Sequence, residues 1–264
     1  MKYYVVSDVH GFYSQTVRAL ADKGFFDDKD EHKLIVCGDL MDRGGEALKM
    51  QEFMLDLVER DLVILIKGNH EELMPLMLDE MKTSYNEGNP GIKQRHVHNG
   101  TIDTAMQLSG YSTMEEAVRN TSDVIEKVKS SVYYTSLIPR SIDYLETKKY
   151  IFVHGWIPCK ETVDEDTHFE YDPDWRNATA ERWFKARWKN GMKLAEEWGI
   201  REPGKTIVCG HYRTSFGHSV YRNRGSEDME DAVFEPYVSD GIIAIDACTA
   251  HSGIVNCIVL EDDE

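Results

Sequence analysis

Three short runs of apolar and β-branched residues, Tyr3 to Val6, Leu34 to Cys37 and Leu62 to Ile66, each break off abruptly into polar residues. Runs of that length and composition predict buried strands. Between the first two, Val17, Leu20 and Ala21 share one face of a predicted helix over Tyr13 to Lys23. After Arg43, the residues Ala47, Met50, Phe53, Met54, Leu57 and Val58 recur at helical spacing. Strands alternating with helices predict β-α-β crossovers and a parallel sheet. The Met and Phe stripe of the second helix reads as core packing.

The middle of the chain changes character. Residues 83–100 are polar and glycine-containing, which predicts a loop or lid. Ser112-Thr113-Met114-Glu115 is a capping-box pattern opening a helix through about Arg119, and a second helix is expected from about Ser122 to Ser130. Together, 72–135 read as a helical insertion. Residues 140–153 predict two strands joined by a turn near Lys148, the second ending in Tyr150-Ile151-Phe152-Val153. The stretch 159–175 carries Glu161, Asp164, Glu165, Asp166, Glu170, Asp172 and Asp174 and predicts a solvated loop. From Thr179 to Trp198 the pattern turns helical, and the tail holds strand-like runs at Thr206 to Cys209, Gly241 to Ile245 and Ile254 to Leu260.

Composition narrows the partners. The 264 residues are 41% hydrophobic and 10% aromatic, enough for a sizeable core. The net charge of −17 and pI of about 5.0 repel polyanions, so neither nucleic acid nor an anionic membrane is expected as a partner. Met1-Lys2 runs straight into the first strand without an apolar leader, and no stretch is long enough to span a bilayer; a cytoplasmic location is the expectation. Cysteines 37, 159, 209, 248 and 257 are odd in number and lack CxxC spacing, which predicts buried free thiols rather than disulfides or a structural zinc.

The candidate chemistry sits in five ordered segments: Ser7-Asp8-Val9-His10-Gly11, Gly38-Asp39-Leu40-Met41-Asp42-Arg43-Gly44, Gly68-Asn69-His70-Glu71, His154-Gly155 and Gly210-His211. Each places metal-ligand side chains beside a glycine, and the first three follow the predicted strands. Polar clusters just past buried strands lie at the carboxyl edge of an α/β sheet, where such folds bind ligands. Three carboxylate or amide oxygens and three imidazoles on one rim suit a metal site, with room for two ions. Histidines 96, 98, 168, 218 and 251 lack this context, although His251 follows a strand near the expected site. Residues from Asp8 to His211 must meet in space, so one domain over 1–264 is expected.

On these segments the chain resembles the calcineurin-like metallophosphoesterases, and within them the bacterial and phage branch of the serine/threonine phosphoprotein phosphatases. The resemblance covers residues 2–82, 150–156, 204–214 and 242–260; Ser7 stands where the family usually has glycine, which affects a turn but no ligand. It implies an α/β fold, a central β-sandwich of two mixed sheets flanked by helices, with the site at one edge. It implies that Asp8 and His10 bind one divalent ion, that Asp39 bridges two, and that Asn69, His154 and His211 complete the second. The cofactors would be two ions of manganese, iron, zinc or nickel, manganese serving best in vitro, with a bridging hydroxide for in-line attack.

His70 would protonate the leaving oxygen, Asp42 would orient His70, and Arg43 would grip the phosphoryl group. The family's second phosphate-binding arginine falls in a window holding Arg176, Arg182, Arg187 and Arg201, of which Arg187 sits in the segment most like the family's. The implied substrate is a phosphorylated protein or a small phosphoester, with phosphoserine or phosphothreonine first. The acidic stretch 159–175 would then be a specificity loop if it is not merely solvated. Two other readings are a symmetrical diadenosine-tetraphosphate hydrolase, from which Asp42-Arg43-Gly44 and Glu71 differ modestly, and an inactive binding module, which would usually have lost a ligand. The characteristic C-terminal loop of the eukaryotic enzymes is absent, so their docking partners do not carry over.

Overall fold

The computed structural model describes residues 1–163 and 167–262. Strands β1 (Lys2–Val6), β2 (His32–Cys37) and β3 (Val63–Ile66) run parallel, and β11 (Ile258–Glu261) adds antiparallel to β1, giving the order β11-β1-β2-β3. A second sheet is ordered β4-β5-β8-β10-β9, built from Leu145–Glu146, Tyr150–Phe152, Thr206–Cys209, Ile242–Ala244 and Tyr237–Ser239. Its three central strands are parallel and its two outer strands antiparallel. Both sheets are therefore mixed, as expected.

Period-two alternation explains how the sheets stack. Val5, Ile35, Cys37 and Ile66 on the first sheet meet Phe152, Val208 and Ile245 on the second, forming the layer between them. The intervening residues point outward: Tyr4, Val6, Leu34, Val36 and Leu65 pack under helices on one side, and Ile151, Ile207, Cys209 and Ala244 do so on the other. The outer cover of the first sheet includes α1 (Tyr13–Asp22), α2 (Ala47–Glu59) and α3 (His70–Asn86). Their buried Leu20, Met50, Met54, Leu57, Met74 and Met77 confirm the stripe as core. All five cysteines are free.

Several local expectations change. The stretch 83–100 is not a single loop: α3 runs on to Asn86, and a short helix, α4 (Gln94–His98), follows. Buried His96 on α4 lies 3.1 Å from Glu80 on α3, and Lys93 pairs with the same carboxylate at 3.0 Å. That polar latch gives the segment order that its composition hides. The capping residue is Thr113, one position later than expected, with its hydroxyl accepting from Glu116 N at 3.2 Å.

The acidic stretch is not a plain solvated loop. Strands β6 (Lys160–Val163) and β7 (Thr167–Glu170) form an antiparallel hairpin, and buried Asp172 accepts from Arg182 at 2.6 Å; Asp164, Glu165 and Asp166 lie outside the described residues. His251 is exposed, packs on Phe234 and belongs to neither histidine–carboxylate group at the centre. Among the described residues no helix is long and apolar enough to cross a membrane.

Candidate metal centre

Six strands, three from each sheet, end at one edge, and a polar residue follows each. Asp8 follows β1, Asp39 follows β2, Asn69 and His70 follow β3, His154 follows β5, His211 follows β8 and Asp246 follows β10. Sequence reasoning named all of these but Asp246, although Ile242-Ile243-Ala244-Ile245-Asp246 obeys the same rule of an acid just past a buried run.

The turns carrying these groups are strained. Asp8, His10, Asp39, Asp42, Arg43, His211 and Cys248 all adopt left-handed backbone, with φ between 47° and 78°. Such conformations cost free energy and persist only where surrounding contacts enforce them, which is characteristic of functional sites. The neighbouring glycines explain how the chain packs so closely. A Cβ on Gly68 would lie 2.2 Å from Asp39 Oδ1, and one on Gly210 would lie 2.1 Å from Asp8 Oδ2. Glu71 ties the turns together: its carboxylate accepts from the amides of Gly68 (2.7 Å), Leu40 (2.9 Å) and Asp39 (3.1 Å). It acts on the backbone.

Two donor groups share Asp39. His10, Asp39 and His70 offer atoms within 4.8 Å of one another, and so do Asp39, His154 and His211. The expectation paired Asp8 with His10; the structure places His70 in that trio and holds both Asp8 oxygens 2.9–3.1 Å from the His211 amide. Asn69 Oδ1 joins the other side, 2.7 Å from His154 Nε2.

The donor chemistry fits divalent cations. His10 Nδ1 lies 3.0 Å from Met41 O and His154 Nδ1 lies 2.9 Å from Cys37 O. A carbonyl only accepts, so each ring carries its proton there and turns a bare Nε2 into the site, the usual second-contact arrangement of metal-bound histidine. The His211 ring likewise donates to the Trp188 backbone carbonyl. Yet the neighbours of His154 Nε2 are oxygens, Asn69 Oδ1 at 2.7 Å and Asp39 Oδ1 at 3.3 Å. A cation between these atoms would satisfy their lone pairs together. Opposite, the Arg43 guanidinium donates to His10 Nε2 (2.8 Å) and His70 Nε2 (3.3 Å), standing in for positive charge.

Burial sets the protonation. It pushes His10 and His154 well below the usual imidazole range and His211 down to about 4. It pushes Asp8 and Asp39 well above the usual carboxylate range, with each further raised by a nearby acid, Asp246 and Asp8 respectively; Asp246 rises to about 6. At neutral pH the imidazoles are ready to bind, while protons compete with metal for the carboxylates. Metal affinity is therefore expected to rise with pH, with protons released on binding at pH 6. Calorimetry in buffers of different ionisation enthalpy measures that release, and a pH-independent affinity between 5.5 and 7.5 would contradict it.

Asp42 and His70 form a buried pair, His70 Nδ1 lying 2.7 Å from Asp42 Oδ2. The same oxygen accepts from the Thr101 hydroxyl at 2.9 Å, and Thr104 Oγ1 accepts from the Asp42 amide at 2.9 Å. Both threonines lie on α5 (Thr101–Ser109), so the helical insertion anchors the pair, a role that sequence reading missed.

Arg187 is placed differently from its expected partners. Its guanidinium is buried and engaged by Glu72, at 2.6 Å, and by Asp143. Of the other window arginines, Arg176 pairs with Glu146 and Glu202, Arg182 with Asp172, and Arg201 with Glu196. Arg187→Ala is thus expected to cost stability, contrary to a purely substrate-facing residue. The loss should be about 2 kcal/mol, below the usual cost of breaking a fully buried pair because Asp143 is partly exposed. An unchanged Tm would contradict this placement.

Two stacked mixed sheets with histidines grouped around a shared carboxylate at one edge define an α/β protein of the metallohydrolase class. The chain belongs to the calcineurin-like phosphoesterase family, whose model matches residues 1–244. A 71-residue stretch is 38% identical to a symmetrical bis(5'-nucleosyl)-tetraphosphatase of Buchnera aphidicola subsp. Acyrthosiphon pisum (strain 5A), covering 27% of this chain and 24% of that protein. The chain therefore aligns with only about a quarter of that relative's length. The asymmetrical bis(5'-nucleosyl)-tetraphosphatase PrpE of Bacillus subtilis (strain 168) is 22% identical over 218 residues, covering 80% of this chain and 79% of that protein. A solved mutant form of a cold-active protein tyrosine phosphatase shares the fold, with a TM-score of 0.50, 16% identity and coverage of 99% of this chain and 75% of that one.

Proposed function

We propose that the protein is a phosphoric ester hydrolase using two divalent cations, one on each side of Asp39. The observation that carries this reading is the presence of Asp39 in both donor groups. Asp8, His10 and Asp39 would hold one cation; Asp39, Asn69, His154 and His211 would hold the other. When bound, such a pair supplies Lewis acidity for in-line displacement at phosphorus and makes water acidic enough to attack near neutral pH.

The chain's own residues do the rest. With His10 Nε2 given over to metal binding, the Arg43 fork would be free to hold the non-bridging phosphoryl oxygens through paired hydrogen bonds. Released from Arg43, His70 Nε2 would carry a proton to the departing oxygen, while Asp42 accepts from Nδ1 and fixes the ring's orientation. Thr101 and Thr104 keep Asp42 aimed at that nitrogen.

Phosphoserine and phosphothreonine side chains are the first substrate reading, resting on Asp42-Arg43-Gly44. Glu71 after His70 belongs to the same motif, and its carboxylate is engaged by backbone amides. Dinucleoside polyphosphates are the second reading, favoured by the names of the Buchnera and Bacillus relatives. Chelator-stripped protein is expected to lose hydrolysis of 4-nitrophenyl phosphate and to regain it with manganese, and full turnover without metal would contradict the proposal. Rates on phosphothreonine peptides and on diadenosine tetraphosphate, measured side by side, rank the two substrate classes.

A further inference from the structure

Beside the metal centre lies a cavity of about 220 Å³ lined by Arg43, His211, Tyr212, Arg213, Asp246 and Cys248. Two of its lining residues are arginines, on a chain whose net charge is −17. Arg43 belongs to the reacting centre, but Arg213 has no part in the chemistry above. It follows His211 by two positions and occupies the position just before the helix Thr214–Arg222, without a side-chain capping bond. Arg43 and Arg213 line this one cavity together with Asp246 and Cys248. Arg213 is about one-third exposed and held by Glu227, whose Oε1 lies 2.9 Å from Nε and 2.8 Å from a terminal nitrogen. An anionic ligand on Arg213 would have to displace that carboxylate.

We infer that this cavity is an anion subsite in which Arg213 takes a second phosphate, linked directly to the phosphoryl group that reacts at Arg43. A guanidinium fork matches phosphate geometry, and its strongest hydrogen bonds are to ionised acceptors. The inference rests on the phosphoester-hydrolase reading and moves its substrate choice toward phosphoanhydride chains. Arg213 is here a specificity residue. The arginine window between His154 and His211 excluded it by two positions.

The test compares methylphosphonate with methylenediphosphonate, which carries two linked phosphonates and resists hydrolysis. Binding of each to manganese-loaded protein is measured by calorimetry. Wild type is expected to prefer methylenediphosphonate. Arg213→Ala should reduce that preference about tenfold or more, the scale of one charge-assisted hydrogen bond. Arg213→Lys should lose less, and Glu227→Gln, which frees the fork, should increase the preference. Equal weakening of both probes, or a preference that Arg213→Ala leaves intact, would overturn the subsite.

Melting temperatures identify a variant that fails to fold, in which case Arg213→Lys and Glu227→Gln decide the question. An anionic flank in a peptide is the competing source: if aspartate beside phosphothreonine, and not the second phosphonate, responds to Arg213, the phosphate assignment is wrong. Wild type inactive on 4-nitrophenyl phosphate would defeat the hydrolase reading while leaving the probe preference readable.

Discussion

Asp39→Asn is expected to be the most damaging single change at the centre, lowering kcat/KM by at least about a thousandfold, equivalent to roughly 4 kcal/mol of lost transition-state stabilisation. Among the described residues Asp39 alone belongs to both donor groups, and a neutral amide is a poor bridge between two cations. The fold should survive. The side-chain oxygen that accepts from the His70 amide, at 3.1 Å, is present in both residues. Burial already holds the Asp39 carboxyl well above its usual range, with Asp8 and Glu71 adding repulsion. Removing that charge should leave the metal-free Tm equal or higher. A variant that keeps its metals and its rate would dismiss Asp39 as the bridge.

The second large effect is expected at His70. His70→Asn should lower kcat on alkyl phosphate esters by about 10²–10⁴-fold, the usual contribution of a general acid. An aryl phosphate with a good leaving group needs little protonation and should suffer much less. Because His70 shares a trio with His10 and Asp39, metal content must be measured in the same variant. Intact metal with a leaving-group-dependent loss supports proton donation. Equal losses on both esters together with lost metal would make His70 a ligand, and Asp8 would then need another role. Asp42→Asn should reproduce part of the His70 defect, since an amide cannot stabilise the charged ring.

Much of the architecture was legible because its signals are local. The alternation in Tyr4-Val5-Val6 and Leu34-Ile35-Val36-Cys37 is imposed by the pleat, and polar residues must emerge where those strands end. Every residue expected around the metals lies at such an end, and the same rule would have found Asp246. Partnerships across the sequence were not legible. Arg187 meets Glu72, 115 positions away, and no local pattern announces that pairing. Thr101 and Thr104 support Asp42 from the helical insertion through tertiary packing alone. Residues 83–100 looked like a loop because Glu80, Lys93 and His96, which give α4 its anchor, appear merely polar in sequence. The family resemblance supplied ligand roles that spacing by itself leaves open.

The most direct test of the central claim is anomalous diffraction at the manganese edge from crystals of manganese-loaded protein. Two peaks should flank the Asp39 carboxylate, one within bonding distance of His10 and the other of Asn69, His154 and His211. A single peak, or manganese bound away from Asp39 in protein that still hydrolyses phosphoesters, would contradict the two-metal account.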